Sequence, residues 1–343
     1  MRVKLEEVCK RIYSGGDVPK DRYSEEKTED YKVPIFANAE KDEGLYGYTD
    51  EAREKELSIT VAARGTIGYT VIRREPFLPV VRLITVVPDL EKVSERYLFY
   101  ALKMCKPQSS GTSIPQLTVP DIKKNTLNLL DIAEQESIAN RLDKLNGIIK
   151  LRTEEISKMD ELIRARFVEM FCNKGYPVLG WNEVFNTTTG KLDSNAMVEN
   201  GDYPFFTCAK EVFRIDKYAF EQEALILAGN NAAGKYDVKY YKGKFNAYQR
   251  TYILSLKQDW SYRLFQYQLE DKLVYLQQQS LGGLTKYLTL KILGDLSFII
   301  PPIDQQTYFE KFVEQVNKSK VEVKRALDEA QLLFDSLMQK YFG

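Results

Sequence analysis

Leu117-Thr118-Val119 followed by Ile132-Ala133-Glu134-Gln135 recurs as Leu288-Thr289-Leu290 followed by Ile303-Asp304-Gln305-Gln306, every residue displaced by 171 positions. The displacement already holds where Gly111 faces Gly282, and it persists to Phe171 and Phe342. A register kept without insertion over roughly sixty residues decides the architecture before any single element is read: the 343-residue chain is built twice. Upstream the displacement drifts, with Val33-Pro34-Ile35-Phe36 facing Tyr203-Pro204-Phe205-Phe206 and Ile67-Gly68 facing Ala233-Gly234. Each copy thus has a variable front part and a constant back part.

The constant part has helical periodicity. Ile138, Leu142, Leu145 and Ile149, then Ile156, Met159 and Ile163, are spaced by fours and threes, and Phe309, Val313, Val316, Val323, Leu327, Ala330, Phe334 and Leu337 repeat the pattern. Arg152 interrupts at the register of Val323, and Lys320 at that of Ile149. A helix from Ala133 to Phe171 would run about 58 Å at 1.5 Å per residue, far beyond the usual length. Such a helix needs a partner. The economical partner is the helix of the other copy, packed antiparallel as a coiled coil that separates the two globular parts; burial in one large core is the alternative.

The front parts read as α+β. Leu57 to Ala63, Tyr69 to Ile72 and Arg82 to Val87 are short strand-like runs punctuated by Gly65, Gly68, Pro76 and Pro79. Ala224 to Ala228, Tyr236 to Tyr241 and Thr251 to Leu256 repeat them, and helical stretches follow at Ser94 to Lys106 and Ser261 to Gln279. The expected fold is therefore two α+β domains, residues 1–132 and 172–304, separated by long helices at 133–171 and 305–343, with an internal pseudo-twofold repeat.

Composition narrows the function classes. No apolar run approaches the roughly 20 residues that span a bilayer, and Lys4, Glu6, Glu7 and Lys10 stand where a secretory signal would be apolar, so a cytoplasmic protein off the membrane is expected. Cys9, Cys105, Cys172 and Cys208 form no C-x-x-C pair, and the chain has no histidine. Ser-His and Cys-His nucleophile systems and the usual zinc sites are thereby excluded, and no cofactor or metal is expected. Gly229-Asn230-Asn231-Ala232-Ala233-Gly234-Lys235 approaches a phosphate-binding loop but ends in Tyr236, not Ser or Thr, with strand-like sequence after it. Lys plus Arg and Asp plus Glu both number 49, so a nucleic-acid surface would have to be a local patch.

A variable domain, a long helix, a second variable domain and a second long helix is the layout of the specificity subunits of type I restriction-modification systems, which this chain resembles along its length. Ser14-Gly15-Gly16-Asp17-Val18-Pro19-Lys20 resembles the family's Gly-rich loop, with Asn186 to Lys191 in the comparable place. Ala63-Arg64-Gly65-Thr66-Ile67-Gly68 is similar to its Arg-Gly-Thr turn, which copy two replaces with Gly229 to Gly234. Glu134-Gln135 resembles the start of its conserved helix, with Pro301-Pro302-Ile303-Asp304-Gln305-Gln306 as counterpart; copy one has Leu130-Asp131 where the family has prolines. The resemblance implies a non-catalytic subunit that reads a bipartite site in double-stranded DNA with two target-recognition domains. It docks two modification subunits that carry the methyltransferase and, in complexes that include one, a restriction subunit.

Base-edge readout needs forked or amide donors, while Lys, Ser and Thr hold phosphates. Copy one offers Gly15, Gly16, Lys20, Arg64, Thr66, Arg73, Arg74, Ser110, Thr112 and Gln116. Copy two offers Thr187, Thr188, Lys191, Asn230, Asn231, Lys235, Gln249, Arg250, Lys286 and Tyr287. The rival reading is a coiled-coil scaffold that binds only proteins, in which exchanging a front part would alter no DNA preference.

Overall fold

The computed structural model describes residues 1–105, 107, 116–232 and 234–343, and the chain divides into two compact units, Met1–Glu154 with Lys324–Gly343, and Glu155–Val323. Ser110 and Thr112 lie outside the described residues.

In the first unit, four antiparallel strands stand in the order Cys9–Ser14, Ile84–Pro88, Ser58–Val61 and Thr70–Arg73. The two central runs are buried at every position and β-branched at all but Ser58 and Pro88, which suits a strand covered on both faces. The helix Glu95–Lys103 packs Tyr97, Leu98, Tyr100 and Leu102 into the same core. A smaller sheet holds Val33–Phe36 between antiparallel Leu45–Thr49 and the parallel pair Leu78–Pro79. Arg2–Lys4 pairs antiparallel with Thr126–Asn128, tying the first residues to the segment that leads into the long helix.

The second unit repeats this plan in one six-stranded sheet. Its order is Phe185–Thr189, Thr251–Leu256, Phe220–Ala228, Val238–Ala247, Tyr203–Phe206 and Phe213–Ile215. Tyr203–Phe206 runs parallel to the end of Val238–Ala247, as Val33–Phe36 does to Leu78–Pro79. Val178–Gly180 with Ser297–Ile299 repeats the strand pair that ties the first unit. Several sequence expectations shift: Arg82 and Leu83 precede the strand Ile84–Pro88, the first short helix is Glu95–Lys103, Tyr236 lies before the strand, which runs on to Ala247, and the helical stretch of the second unit divides into Tyr262–Asp271 and Leu273–Gln279 at Lys272.

Helices Ile132–Phe171 and Ile303–Phe342 have 40 residues each. In the first unit, Ile138 and Leu142 share a core with Met338 and Phe342, and the Tyr97 and Phe342 rings sit 4.8 Å apart. In the second, Ile163, Phe167 and Phe171 pack with Phe309, Val313 and Val316. Lys320, the interruption in the apolar pattern, forms an ion pair with Asp160.

Where each long helix starts, a buried glutamine fixes it. Gln135, 0% exposed, accepts from the Ser94 N–H at 2.8 Å and donates to the carbonyls of Lys92 (3.0 Å) and Leu130 (2.9 Å). Gln306, its partner at 171 positions, accepts from the Ser261 N–H at 3.0 Å and donates to the Pro301 carbonyl at 2.8 Å. Replacing Gln135 with Ala would orphan one donor and two acceptors inside the first unit. At roughly 1–3 kcal/mol per buried unsatisfied group, Gln135→Ala should cost about 3 kcal/mol or more. Urea unfolding should show the lowered midpoint, and a change below about 1 kcal/mol would mean the amide is dispensable.

Candidate nucleic-acid interface

In the first unit five loops are joined by hydrogen bonds. The Gly15-Gly16 loop pairs with the turn after Leu78–Pro79 through Gly15 N–H to Leu83 O (2.8 Å) and Val81 N–H to Gly16 O (2.8 Å). A Cβ on Gly15 would meet Pro79 C at 2.6 Å, so only glycine admits this approach. Asn38 accepts from the Ala63 N–H at 2.8 Å and donates to the Val81 carbonyl, locking the Arg64 turn to the same frame. The Leu117 N–H closes the group on Ala63 O at 3.0 Å.

The second unit builds the same frame from different residues. Gly190 N–H bonds Thr251 O (3.3 Å), and a Cβ there would lie 2.0 Å from Ala247 O. Leu192 bridges Tyr248 in parallel, as Gly16 bridges Val80. The Cys208 thiol donates to the Arg250 carbonyl at 3.3 Å, a task comparable to that of Asn38, and Leu288 N–H bonds Gly229 O at 2.8 Å, as Leu117 bonds Ala63. By these bonds Ala63 corresponds to Gly229, Arg64 to Asn230, Gln116 to Tyr287, and Val81-Arg82 to Gln249-Arg250.

This frame gathers much of the candidate set. Arg64 is exposed and donates through Nε to Gln116 Oε1 at 2.8 Å. Thr66 is exposed in the same turn, and Lys20 is exposed beyond the Gly-rich loop. Asn230 and Asn231 form a short antiparallel pair with Tyr287 and Lys286. Gln249 is tied to Asp193 at 2.8 Å, and Arg250 lines a small cavity of about 190 Å³ with Gln249, Tyr252 and Tyr287. Lys191 and Thr188 are exposed, whereas the Thr187 hydroxyl accepts from Trp181 Nε1 at 2.9 Å. Lys235 is exposed, Asn230–Asn231 forms a strand, and among the described residues from Gly229 to Lys235 no helix starts.

Two arginines are placed otherwise. Arg73, 7% exposed, lies 3.6 Å over the Phe36 ring with its guanidinium on Glu43 and Thr60, and burial draws its pKa down to about 10. Its charge is held inside the domain. Arg74 forms a bidentate pair with Glu95. Behind the Gly-rich loop, the fully buried Glu54 receives Arg11, Tyr13 and the N–H groups of Lys55 and Glu56. Burial works to raise its pKa, but these bonds prevail and hold the carboxyl below the usual range.

Asn38 and the Val81-Arg82 turn were absent from the sequence-derived set. The Leu83 N–H bonds Val80 O at 3.0 Å, with Val81 at φ 50 and Arg82 at φ 63. Positive φ at both central residues makes a mirror-image turn that favours Asn-Gly, and for a β-branched residue it costs on the order of 1–3 kcal/mol. The Gly16 and Asn38 bonds hold it. Val81 is half exposed, so Val81→Gly loses little packing and removes the strain. A gain of about 1 kcal/mol is expected after the added freedom of the unfolded chain; a lower melting temperature would show the turn to be unstrained.

Among the described residues no helix is long and apolar enough to cross a membrane. A family profile described as type I restriction modification DNA specificity domain matches residues 1–160 and 173–330. A type I specificity subunit from Mycoplasma pneumoniae is 41% identical over 142 residues, 41% of this chain and 42% of that protein. The Escherichia coli type I restriction enzyme EcoDI specificity subunit is 38% identical over 128 residues, 36% of this chain and 27% of that protein. The matched stretches thus span less than half of either relative. The crystal structure of a type I restriction-modification S subunit from M. genitalium aligns over 100% of this chain and 96% of its own, with TM-score 0.64 at 17% identity. A chain from a structural study of type I restriction-modification complex assembly aligns over 100% and 97%, with TM-score 0.55 at 15% identity. At such identity these two likenesses speak to the fold.

Proposed function

This chain belongs to the type I restriction modification DNA specificity domain family, and on that premise we propose that it is the sequence-reading subunit of a type I restriction-modification complex. Two target-recognition domains, residues 1–132 and 172–304, each read one half of a bipartite DNA site. One observation carries this reading: the same loop frame stands in both units with different side chains on it, Arg64 and Gln116 in one, Asn230 and Tyr287 in the other. A constant frame with exchanged donors is what reading two unlike half-sites requires.

The chain supplies recognition, and the chemistry belongs to partners: two modification subunits, with a restriction subunit in complexes that include one, working in the cytoplasm. The helices 133–171 and 305–343 form an antiparallel coiled coil that sets the distance between half-sites, with their outward faces docking the modification subunits. Support comes from the seam: Ile138, Leu142 and Ile163, and Phe309, Val313, Val316 and Val323, are buried at spacings of three, four or whole heptads.

Methylation sequencing of DNA modified by this protein together with its modification subunit should show a split motif that is missing when the modification subunit acts alone. An active methyltransferase writing no motif dependent on this chain would overturn the assignment. The spacer role predicts a length effect. Seven residues inserted after Arg152 and seven after Val323 keep the seam in register and lengthen the pair by about 10.5 Å, or about three base pairs. The motif's central gap should widen by that amount; an unchanged gap would assign spacing to something other than the helices.

A further inference from the structure

Of the arginines on the two loop frames, Arg82, which the sequence did not single out, and Arg250 have guanidinium groups that bond no described residue, and they occupy the same place in the two copies. Arg73 is buried on Glu43, Arg74 is held by Glu95, and Arg64 spends its Nε on Gln116. Arg82 and Arg250 are exposed, and neither guanidinium forms an ion pair or hydrogen bond with a described residue. Each is the second central residue of a four-residue turn, closed by Leu83 N–H to Val80 O at 3.0 Å in one unit and by Thr251 N–H to Tyr248 O at 2.9 Å in the other. The first residue of each turn is pinned to the neighbouring strand, Val80 N–H to Phe36 O (2.9 Å) and Tyr248 N–H to Phe206 O (2.8 Å).

We propose that Arg82 and Arg250 are the equivalent base readers of the two half-sites, each presenting its guanidinium fork to the paired N7 and O6 acceptors of a guanine. This rests on the DNA-reading function proposed above. The fork carries five N–H donors in a plane and matches a two-acceptor edge, which a lysine ammonium cannot do. Phosphate binding alone would not need a backbone fixed this firmly, because a charge on a flexible stem serves as well. At Arg82 the fixing goes so far that two successive residues with side chains sit at positive φ, held by the Gly16 carbonyl and the Asn38 amide.

The test uses the full complex with its modification subunits and duplexes carrying the motif found by methylation sequencing. Binding is compared between the cognate duplex, a duplex with each guanine of one half-site replaced in turn, and one carrying 7-deazaguanine there. Arg82→Ala should lose discrimination at one guanine of the half-site read by residues 1–132, on the order of 5- to 150-fold. Arg82→Lys should lose it as well, and the other half-site should be read as before, which shows that the variant is folded. Arg250→Ala and Arg250→Lys should give the mirror result.

Full discrimination retained by Arg82→Lys, or a loss uniform over all sequences with a salt slope lowered by about one, would make the residue a phosphate contact and overturn the inference. If the unaltered complex binds no motif at all, the function reading itself fails. Unaltered discrimination in the alanine variants on a motif that is read would sink this inference alone.

Discussion

Both copies depend on one buried side-chain amide at the base of a long helix. Gln135 uses both amide protons and its oxygen on backbone groups from three points, the N-cap residue of Glu95–Lys103, the turn before it and the segment before the long helix. Gln306 does the same work on Ser261 and Pro301. A polar group with almost no exposure is tolerated only when satisfied, and the partners that satisfy it lie in fixed directions. The amide therefore sets where the helix starts and which face it turns to the domain. That face places Ile138 and Leu142 in the first core and Phe309 and Val313 in the hydrophobic cluster of the second unit. An apolar residue in its place could fill the volume but could not choose a direction.

This geometry explains why the back of each copy was legible in the sequence and the front less so. From Leu117 to Phe171 the offset of 171 survives because a residue gained or lost between the helix start and the preceding strand would break the amide bonds and the Arg2–Lys4 pairing together. In front, the corresponding pairs Phe36 and Phe206, Ala63 and Gly229, and Leu83 and Thr251 differ by 170, 166 and 168, because loops there change length without disturbing a strand partner. The Val81-Arg82 turn could not be read at all. Its residues have none of the turn preferences of Asn or Gly, and its conformation is imposed by Gly16 and Asn38 from other loops. Arg73 shows the opposite failure: as letters it is an arginine beside another arginine, and only packing puts it over Phe36.

The balanced charge is resolved in the same local terms. Several cations that a count includes are occupied inside their own unit, Arg11 by Glu54 and Glu56, Arg22 by Asp50 and Glu51, and Arg96 by Glu136 and Asp143. The solvent-exposed pairs among these, such as Arg22 with Asp50, add little stability, but all of them withdraw charge from the surface field. What remains at the loop frames is a small number of placed donors. A protein that must discriminate sequences gains more from placement than from excess charge, since a diffuse field attracts every duplex alike.

The two frames show how such placement is achieved twice with unlike residues. Asn38 spans the gap between Ala63 and Val81 with its side chain, whereas in the second unit Gly229 reaches the Arg250 carbonyl directly through its own N–H at 2.9 Å, and a Cβ there would lie 2.3 Å from that oxygen. One copy inserts a side chain between two loops and accepts a strained turn; the other brings the backbones together and needs a glycine. In both, the framework bonds use main-chain groups along with Asn38 or Cys208, and neither the Arg82 nor the Arg250 guanidinium takes part in them. Outward positions such as Gln116 and Tyr287 can differ between the copies while the main-chain bonds of the frame are kept, so one architecture carries unlike side chains in its two units.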